Sequence, residues 1–324
     1  MLPHIQYLAD RASLLRQLRG WFDDRGFLEV QPPCLSRDCV VDTFIEPIGV
    51  ETREFGLQSV FGDDNAPEWF YLQTSPELAM KRLLAAGAPS IYSIGPVFRG
   101  GELGPLHNLE FTMLEWYEVG AGYEAGIRLT GKLASDLLDL KSHEVLSYRE
   151  AFREFAGCDP LEDRLQTIRD TVHQFSARLA GSLANDRDGL LDVLLSEKVA
   201  PRLGKDRPLV LYDYPLSQAA LAKSSPNDER CAARFELFVQ GIELANGYDE
   251  LLDADELANR TRQHLAERQR LGRRKLPGSE SLIAAMRRGL PECSGVALGF
   301  DRLLMLKVSE TSVHRIMPFP TERA

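Results

Sequence analysis

The chain contains no uninterrupted apolar run approaching the roughly 18 to 20 residues of a membrane span. Its N-terminal stretch carries Asp10, Arg11 and Arg16 where a secretory signal would need an apolar core, so a cytoplasmic protein with no membrane association is expected. Cysteine is scarce: Cys34, Cys39, Cys158, Cys231 and Cys293 are scattered without CxxC spacing, which suits reduced thiols better than a disulfide framework or a zinc knuckle. The six histidines include no HExxH and no close pair, so a histidine metal centre has little support. Positive charge is also short. Against 38 Lys and Arg stand 48 Asp and Glu, and the net −10 disfavours nonspecific attraction to nucleic acid or anionic membranes. Neither an internal repeat nor a low-complexity tract interrupts the 324 residues.

What is present is the composition of a globule, 44% hydrophobic and 27% charged, with enough apolar side chains for a sizeable core. The length fits two domains of about 150 residues or one large enzyme domain. With no convincing linker, one domain is the better count. Leu14, Leu15, Leu18, Trp21 and Phe22 fall on one stripe of a helix between Leu8 and Asp24, with Gly26 placed to end it. Phe27 to Val30 reads as a strand stopped by Pro32-Pro33. Trp69 to Leu72 is a second strand, and Ser75-Pro76-Glu77 opens a helix reaching Ala86. Two β-type runs, Ile91 to Arg99 and Leu109 to Val119, flank the Gly-rich residues 100–108 as a hairpin with a long loop. From Gly126 to Gly204 the pattern is mostly helical, after which strands resume at Leu209 to Tyr212, Phe235 to Gln240 and Ile242 to Tyr248. A basic-rich helix, Glu256 to Leu271, precedes a strand of small residues, Ser294 to Gly299, and a helix from about Asp301.

The chemistry-bearing residues lie on the strands. Parity puts Leu109, Phe111, Met113, Glu115 and Tyr117 on one face, so an acid and a phenol point together at the end of an apolar row, unless the strand has already reached solvent there. Glu236, Glu243, Asn246, Tyr248 and Glu250 crowd a second region, and carboxylates on sheet strands need cations: Mg²⁺ or the ammonium of a ligand. Arg99 at the hairpin loop and Arg302 at the last helix are matching anion binders, and the small residues Ser294 to Gly299 would let a planar ring approach.

Together these segments resemble the catalytic domain of class II aminoacyl-tRNA synthetases. Three signature motifs stand in order: the helix, strand and proline of Gly26 to Pro32, the hairpin from Phe98-Arg99 to His107 and Phe111, and the G-x-D-R of Gly299 to Arg302. Thr74-Ser75-Pro76-Glu77, the run from Glu110 to Tyr117 and the run from Gly241 to Leu251 look like the lysine-pocket motifs of the lysine-specific subgroup. The resemblance covers nearly the whole chain. It implies an α+β fold, an antiparallel sheet flanked by helices with a helical insertion near residues 121–205, in a single catalytic domain over 1–324. Motif 1 begins within the first thirty residues, which leaves no length for the anticodon-binding barrel of lysyl-tRNA synthetases. The chain is similar instead to the free-standing paralogues that ligate (R)-β-lysine to a lysine side chain of elongation factor P.

That resemblance implies an AMP-forming ligase using ATP and Mg²⁺, with elongation factor P as protein acceptor, (R)-β-lysine or lysine as substrate, and tRNA disfavoured. By motif position, Arg99 and Arg302 would be catalytic. Arg99, Gly100, Gly101, Asn108, Glu243, Leu244, Gly299 and Arg302 would bind ATP, and Glu236 and Glu243 would hold the metal. Ser75, Pro76, Glu77, Glu115, Tyr117, Asn246, Glu250 and Ala297 would form the lysine pocket. A homodimer is expected, with the stripe Leu14, Leu18, Trp21 and Phe22 offering its interface, and the basic stretch from Arg260 to Lys275 reads as a solvated face or a docking surface. The hairpin loop departs from its relatives: Gly101 stands where an adenine-facing carboxylate is expected and Pro105 where a phosphate-facing arginine is. On that account a degenerate paralogue with a binding or regulatory role stays open, and, apart from the loop, so does a lysine-activating enzyme that charges tRNA.

Overall fold

The computed structural model describes residues 5–53, 55–57, 61 and 66–324, and the chain folds as two compact units. The first comprises Met1–Val119, Leu252–Pro291 and Ala297–Ala324; the second comprises Gly120–Leu251 and Glu292–Val296.

The first unit opens with the helix Leu8–Asp23, whose stripe Leu14, Leu18, Trp21 and Phe22 is buried. Phe22 stacks on Tyr92 with ring centroids 4.7 Å apart and tilts against Trp116 at 5.4 Å. The stripe therefore builds the chain's own core, and the expectation that it offers apolar surface to a second subunit is corrected. Beyond Gly26, at φ +75°, β1 (Leu28–Glu29) is followed by β2 (Leu35–Ser36), β3 (Gly49–Glu51) and β4 (Trp69–Leu72). The last three form a small antiparallel sheet in the order β2-β4-β3, of which only β4 is legible in the sequence. The strands β5 (Ile91–Phe98) and β6 (Glu110–Val119) make the expected hairpin, and β1 pairs parallel with β5. Successive residues of a strand alternate faces, so β6 turns Trp116 toward the N-terminal helix and Glu115 and Tyr117 the other way.

The basic-rich helix spans Ala254–Arg270. It is not simply a solvated face. Arg268 is fully buried, donates to the carbonyls of Asp42, Ile45 and Arg274, and pairs with Glu46 at 2.7 Å. Arg273 donates to Phe44 O, and Arg274 lies over the Trp69 ring at 4.5 Å. These guanidiniums fasten the 42–46 segment and the small sheet, while Arg262, Arg270, Arg274 and Lys275 are exposed.

The second unit contains the helix Tyr123–Leu137, then β7 (Glu144–Ser147), β8 (Leu209–Pro215), β9 (Cys231–Val239) and β10 (Ile242–Asp249). The strand β7 is missing from the sequence reading because it is four half-exposed residues at an edge, paired parallel to β8. Its Ser147 starts the helix Tyr148–Phe155 with a capping box closed by Glu150. The helices of the insertion pack Tyr148, Phe152, Ile168, Val172, Leu190 and Leu194 onto Leu209, Leu211 and Phe238 of the strands. The antiparallel pairs β8–β9 and β9–β10 each carry a bulge. The strand β11 (Cys293–Gly299) is continuous, with Cys293–Val296 belonging to the second unit and Ala297–Gly299 to the first.

Candidate active site

In the first unit the site residues converge on Glu115. Ser75 Oγ donates to Glu115 Oε2 at 2.6 Å, and Tyr117 OH donates to Oε1 at 2.7 Å. Ser75 also accepts from Glu77 N, so the hydroxyl expected to cap the helix does so, although the helix proper spans Glu77–Ala85 and Pro76 takes the cap position. Glu115 is 2% exposed. Burial, reinforced by the nearby Glu77 carboxylate, pushes it up to about 7, against the two hydroxyls and the Lys81 ammonium, which favour its charged form. A carboxylate so placed is stabilised in its charged form by an arriving cation. Glu77 is bonded to Lys81 Nζ at 2.5 Å, a residue missed in the sequence reading although its i, i+4 spacing on a helix was visible.

The arginine Arg99 leaves β5 with Nε donating to Thr74 O at 3.3 Å and its guanidinium over the Phe111 ring. Gly100 N donates to Glu46 O at 2.7 Å, and a Cβ on Gly100 would lie 3.2 Å from that same oxygen, which explains this glycine. Gly101 has φ +80° with open space around it, so its conformation, rather than room for a ring, selects glycine there. A tight turn from Gly104 to His107 closes the loop. Arg302 donates to Leu106 O at 3.2 Å and to His107 Nε2 at 2.7 Å, and burial together with the Arg302 charge holds His107 below its usual range. Asn108 is buried with its amide spent on Glu110 O and Thr321 N, so it braces the loop. Asp301 anchors the helix that bears Arg302, accepting from Arg11 at 2.5 Å and from Thr112 N at 2.6 Å. Ala297 and Gly299 are half-buried at the end of β11.

In the second unit, register does what spacing alone cannot. Glu243 pairs with Phe238 and Asn246 with Glu236, a bulge at Leu244 absorbing the odd step, so residues three apart reach the same face. A second bulge, at Asp213 with φ +61°, brings Tyr214 onto it as well. Tyr214 OH donates to Glu236 Oε2 and Arg234 Nη2 to Oε1, both at 2.6 Å. Asn246 donates to Tyr248 OH at 3.0 Å while its Oδ1 is buried without a hydrogen-bond donor among the described residues. Glu250 is 1% exposed. Glu236 accepts from Arg234 and Tyr214, and Glu243 is exposed near the start of β10; carboxylates so placed could take a Mg²⁺ arriving with phosphate oxygens of its own. Arg234 and Tyr214 were absent from the sequence reading; the alternation of Arg234 with Glu236 on β9 was the available signal.

Residues 4–323 match the family described as tRNA synthetases class II (D, K and N), and the chain belongs to that family. Within it, the chain is 41% identical over 320 residues to the elongation factor P–(R)-β-lysine ligase of Yersinia pestis (strain Pestoides F), a match covering 99% of this chain and 96% of that protein. The ligase of the same name from Yersinia pseudotuberculosis serotype O:1b (strain IP 31758) matches to the same extent. Among the described residues no helix is long and apolar enough to cross a membrane.

Proposed function

We propose that this chain is an AMP-forming ligase that activates (R)-β-lysine, or lysine, with ATP and transfers it to a lysine side chain of elongation factor P. The observation that carries this reading is the buried Glu115, held by Ser75 and Tyr117 in a pocket motif, within a chain aligned end to end with ligases of that name. An acid kept in that setting gains most from a ligand ammonium. In the first step an oxygen of the amino-acid carboxylate attacks the α-phosphorus, and the bond to pyrophosphate breaks. In the second the acceptor amine attacks the activated carbonyl, the bond to AMP breaks, and an amide forms. Both steps rest on position and charge neutralisation more than on a protein nucleophile.

Arg99 would clamp the α-phosphate and the carboxylate, and Arg302 the distal phosphates, by the paired hydrogen bonds a guanidinium makes to an anion. Gly100, Gly101, Leu244 and Gly299 would lie along the nucleotide, with Asn108 bracing the loop. Glu243 and Glu236 are the residues that would hold Mg²⁺, which would supply charge neutralisation for the departing pyrophosphate. Glu115 with Ser75 and Tyr117, and in the second unit Glu250 with Asn246, would take the ammonium groups; Pro76 and Ala297 would shape the walls. The ligase would work in the cytoplasm as a homodimer, using surface other than the buried helix stripe, such as the exposed Leu28 and Leu35. Lysine-dependent ATP–pyrophosphate exchange, run with both isomers and followed by transfer of labelled amino acid to elongation factor P, tests the reading. No exchange with either isomer would refute it.

A further inference from the structure

Lys81 is a buried ammonium that the proposed reaction does not use. It is 2% exposed, sits on the helix Glu77–Ala85, bonds Glu77 at 2.5 Å and lies 5.9 Å from the centre of the Tyr117 ring. A lysine is rarely buried this completely unless its charge is matched, and here the match is one of the two carboxylates of the pocket. The other, Glu115, accepts hydrogen bonds from the hydroxyls of Ser75 and Tyr117. The two acids therefore differ: Glu77 is ion-paired with Lys81, whereas the hydrogen bonds to Glu115 come from hydroxyls.

We propose that Lys81 is a positioning residue of the amino-acid pocket: its ammonium occupies Glu77 and offsets that charge, so that Glu115 alone in the first unit remains to receive a ligand ammonium. The proposal rests on the lysine-activating reading above and assigns its first-unit contact. Lys81 sets both the number of positive charges this half of the pocket accepts and the pH at which it accepts them. The charged or titratable groups facing Glu115 in the first unit are Glu77 and Lys81 from the helix and Tyr117 from its own strand; Ser93, opposite on β5, does not titrate. Glu77 raises the proton affinity of Glu115 and Lys81 lowers it. Removing either charge must then displace Glu115 in opposite directions, which general damage to the pocket would not do.

The test is the pH profile of lysine-dependent exchange in the parent, Lys81→Met, Lys81→Arg and Glu77→Gln. For Lys81→Met we expect the lysine KM to rise roughly tenfold at pH 7 with the ATP KM within about twofold, and the acid limb of kcat/KM for lysine to move up by about one pH unit. Lys81→Arg should restore the limb, and Glu77→Gln should move it down. Limbs displaced in the same direction, or an ATP KM rising alongside the lysine KM, would overturn the proposal. A parent without lysine-dependent exchange would defeat the functional reading instead. In that case carboxyl ¹³C titration of Glu115, identified by its loss in Glu115→Gln, still decides between opposite displacements and a common one. If Lys81→Met does not fold, Glu77→Gln decides alone, an unmoved or raised titration overturning the proposal.

Discussion

Glu115→Gln should make the protein more stable at alkaline pH and useless for lysine. Glu115 is fully buried and pushed up to about 7 from an ordinary 4.5, so at 1.36 kcal/mol per pH unit its ionisation costs the folded state roughly 3 kcal/mol. The sign follows from proton binding. Between 4.5 and 7 the folded chain holds the proton that the unfolded chain has released, so stability falls as pH rises through that window. Below it the penalty is absent, and above it the penalty is complete. Integrated between pH 5 and pH 8, the loss is about 2.5 kcal/mol. Glutamine has the same shape and cannot ionise. Its amide replaces one acceptor facing the hydroxyls of Ser75 and Tyr117, at a cost of roughly 1 kcal/mol that does not vary with pH. Urea unfolding of parent and variant should therefore show the variant gaining about 2.5 kcal/mol relative to the parent on going from pH 5 to pH 8. The exchange assay should show lysine activation lost, because a neutral amide cannot offset an ammonium. A stability difference constant across that range would mean that Glu115 is not held protonated by burial, and the reasoning would fail.

Gly101→Glu supplies the carboxylate that the resemblance implies for the hairpin loop, yet the φ of +80° should make it raise the ATP KM about fivefold, as Gly101→Ala should, through roughly 1 kcal/mol of left-handed strain. A lowered KM for the Glu variant would show that the side chain reaches the nucleotide after all. Arg268→Met should destabilise the protein by about 3 to 5 kcal/mol in urea, since it strands Glu46 and three carbonyls, whereas Arg270→Ala, at an exposed pair with Glu267, should change stability by less than about 0.5 kcal/mol. Equal effects would mean that the buried guanidinium does not hold the 42–46 segment. Arg11→Met should raise the ATP KM with little change in the lysine KM, because Arg11 fixes Asp301 beside Arg302. A rise in both would point to a general loss of structure.

Much of the fold was legible because strong local signals agreed with burial. The stripe of the first helix, the strand Trp69 to Leu72 and the hairpin at residues 91–119 are all where the sequence puts them. Short edge strands escaped: β2, β3 and β7 have two to four residues and lack the aromatic run that marks Trp69 to Leu72. Among site residues, parity correctly joined Glu115 to Tyr117, because a strand of ten residues without a bulge preserves its period. It could not join Glu243 to Asn246, or Tyr214 to Glu236, since each pair depends on a bulge that only pairing with β9 reveals.

The sequence by itself determined the class of the protein and the identity of its chemical groups, because motif residues are local and their order survives any arrangement in space. It also determined the excess of negative charge. Only the tertiary structure decided which charges are already answered. Lys81 offsets Glu77, Arg234 and Tyr214 engage Glu236, and Arg268 is consumed by backbone carbonyls. In one dimension each of these is a free cation or anion able to meet a ligand. An ion pair depends on separations of a few ångströms and on how much water remains around it, and neither is set until distant segments pack.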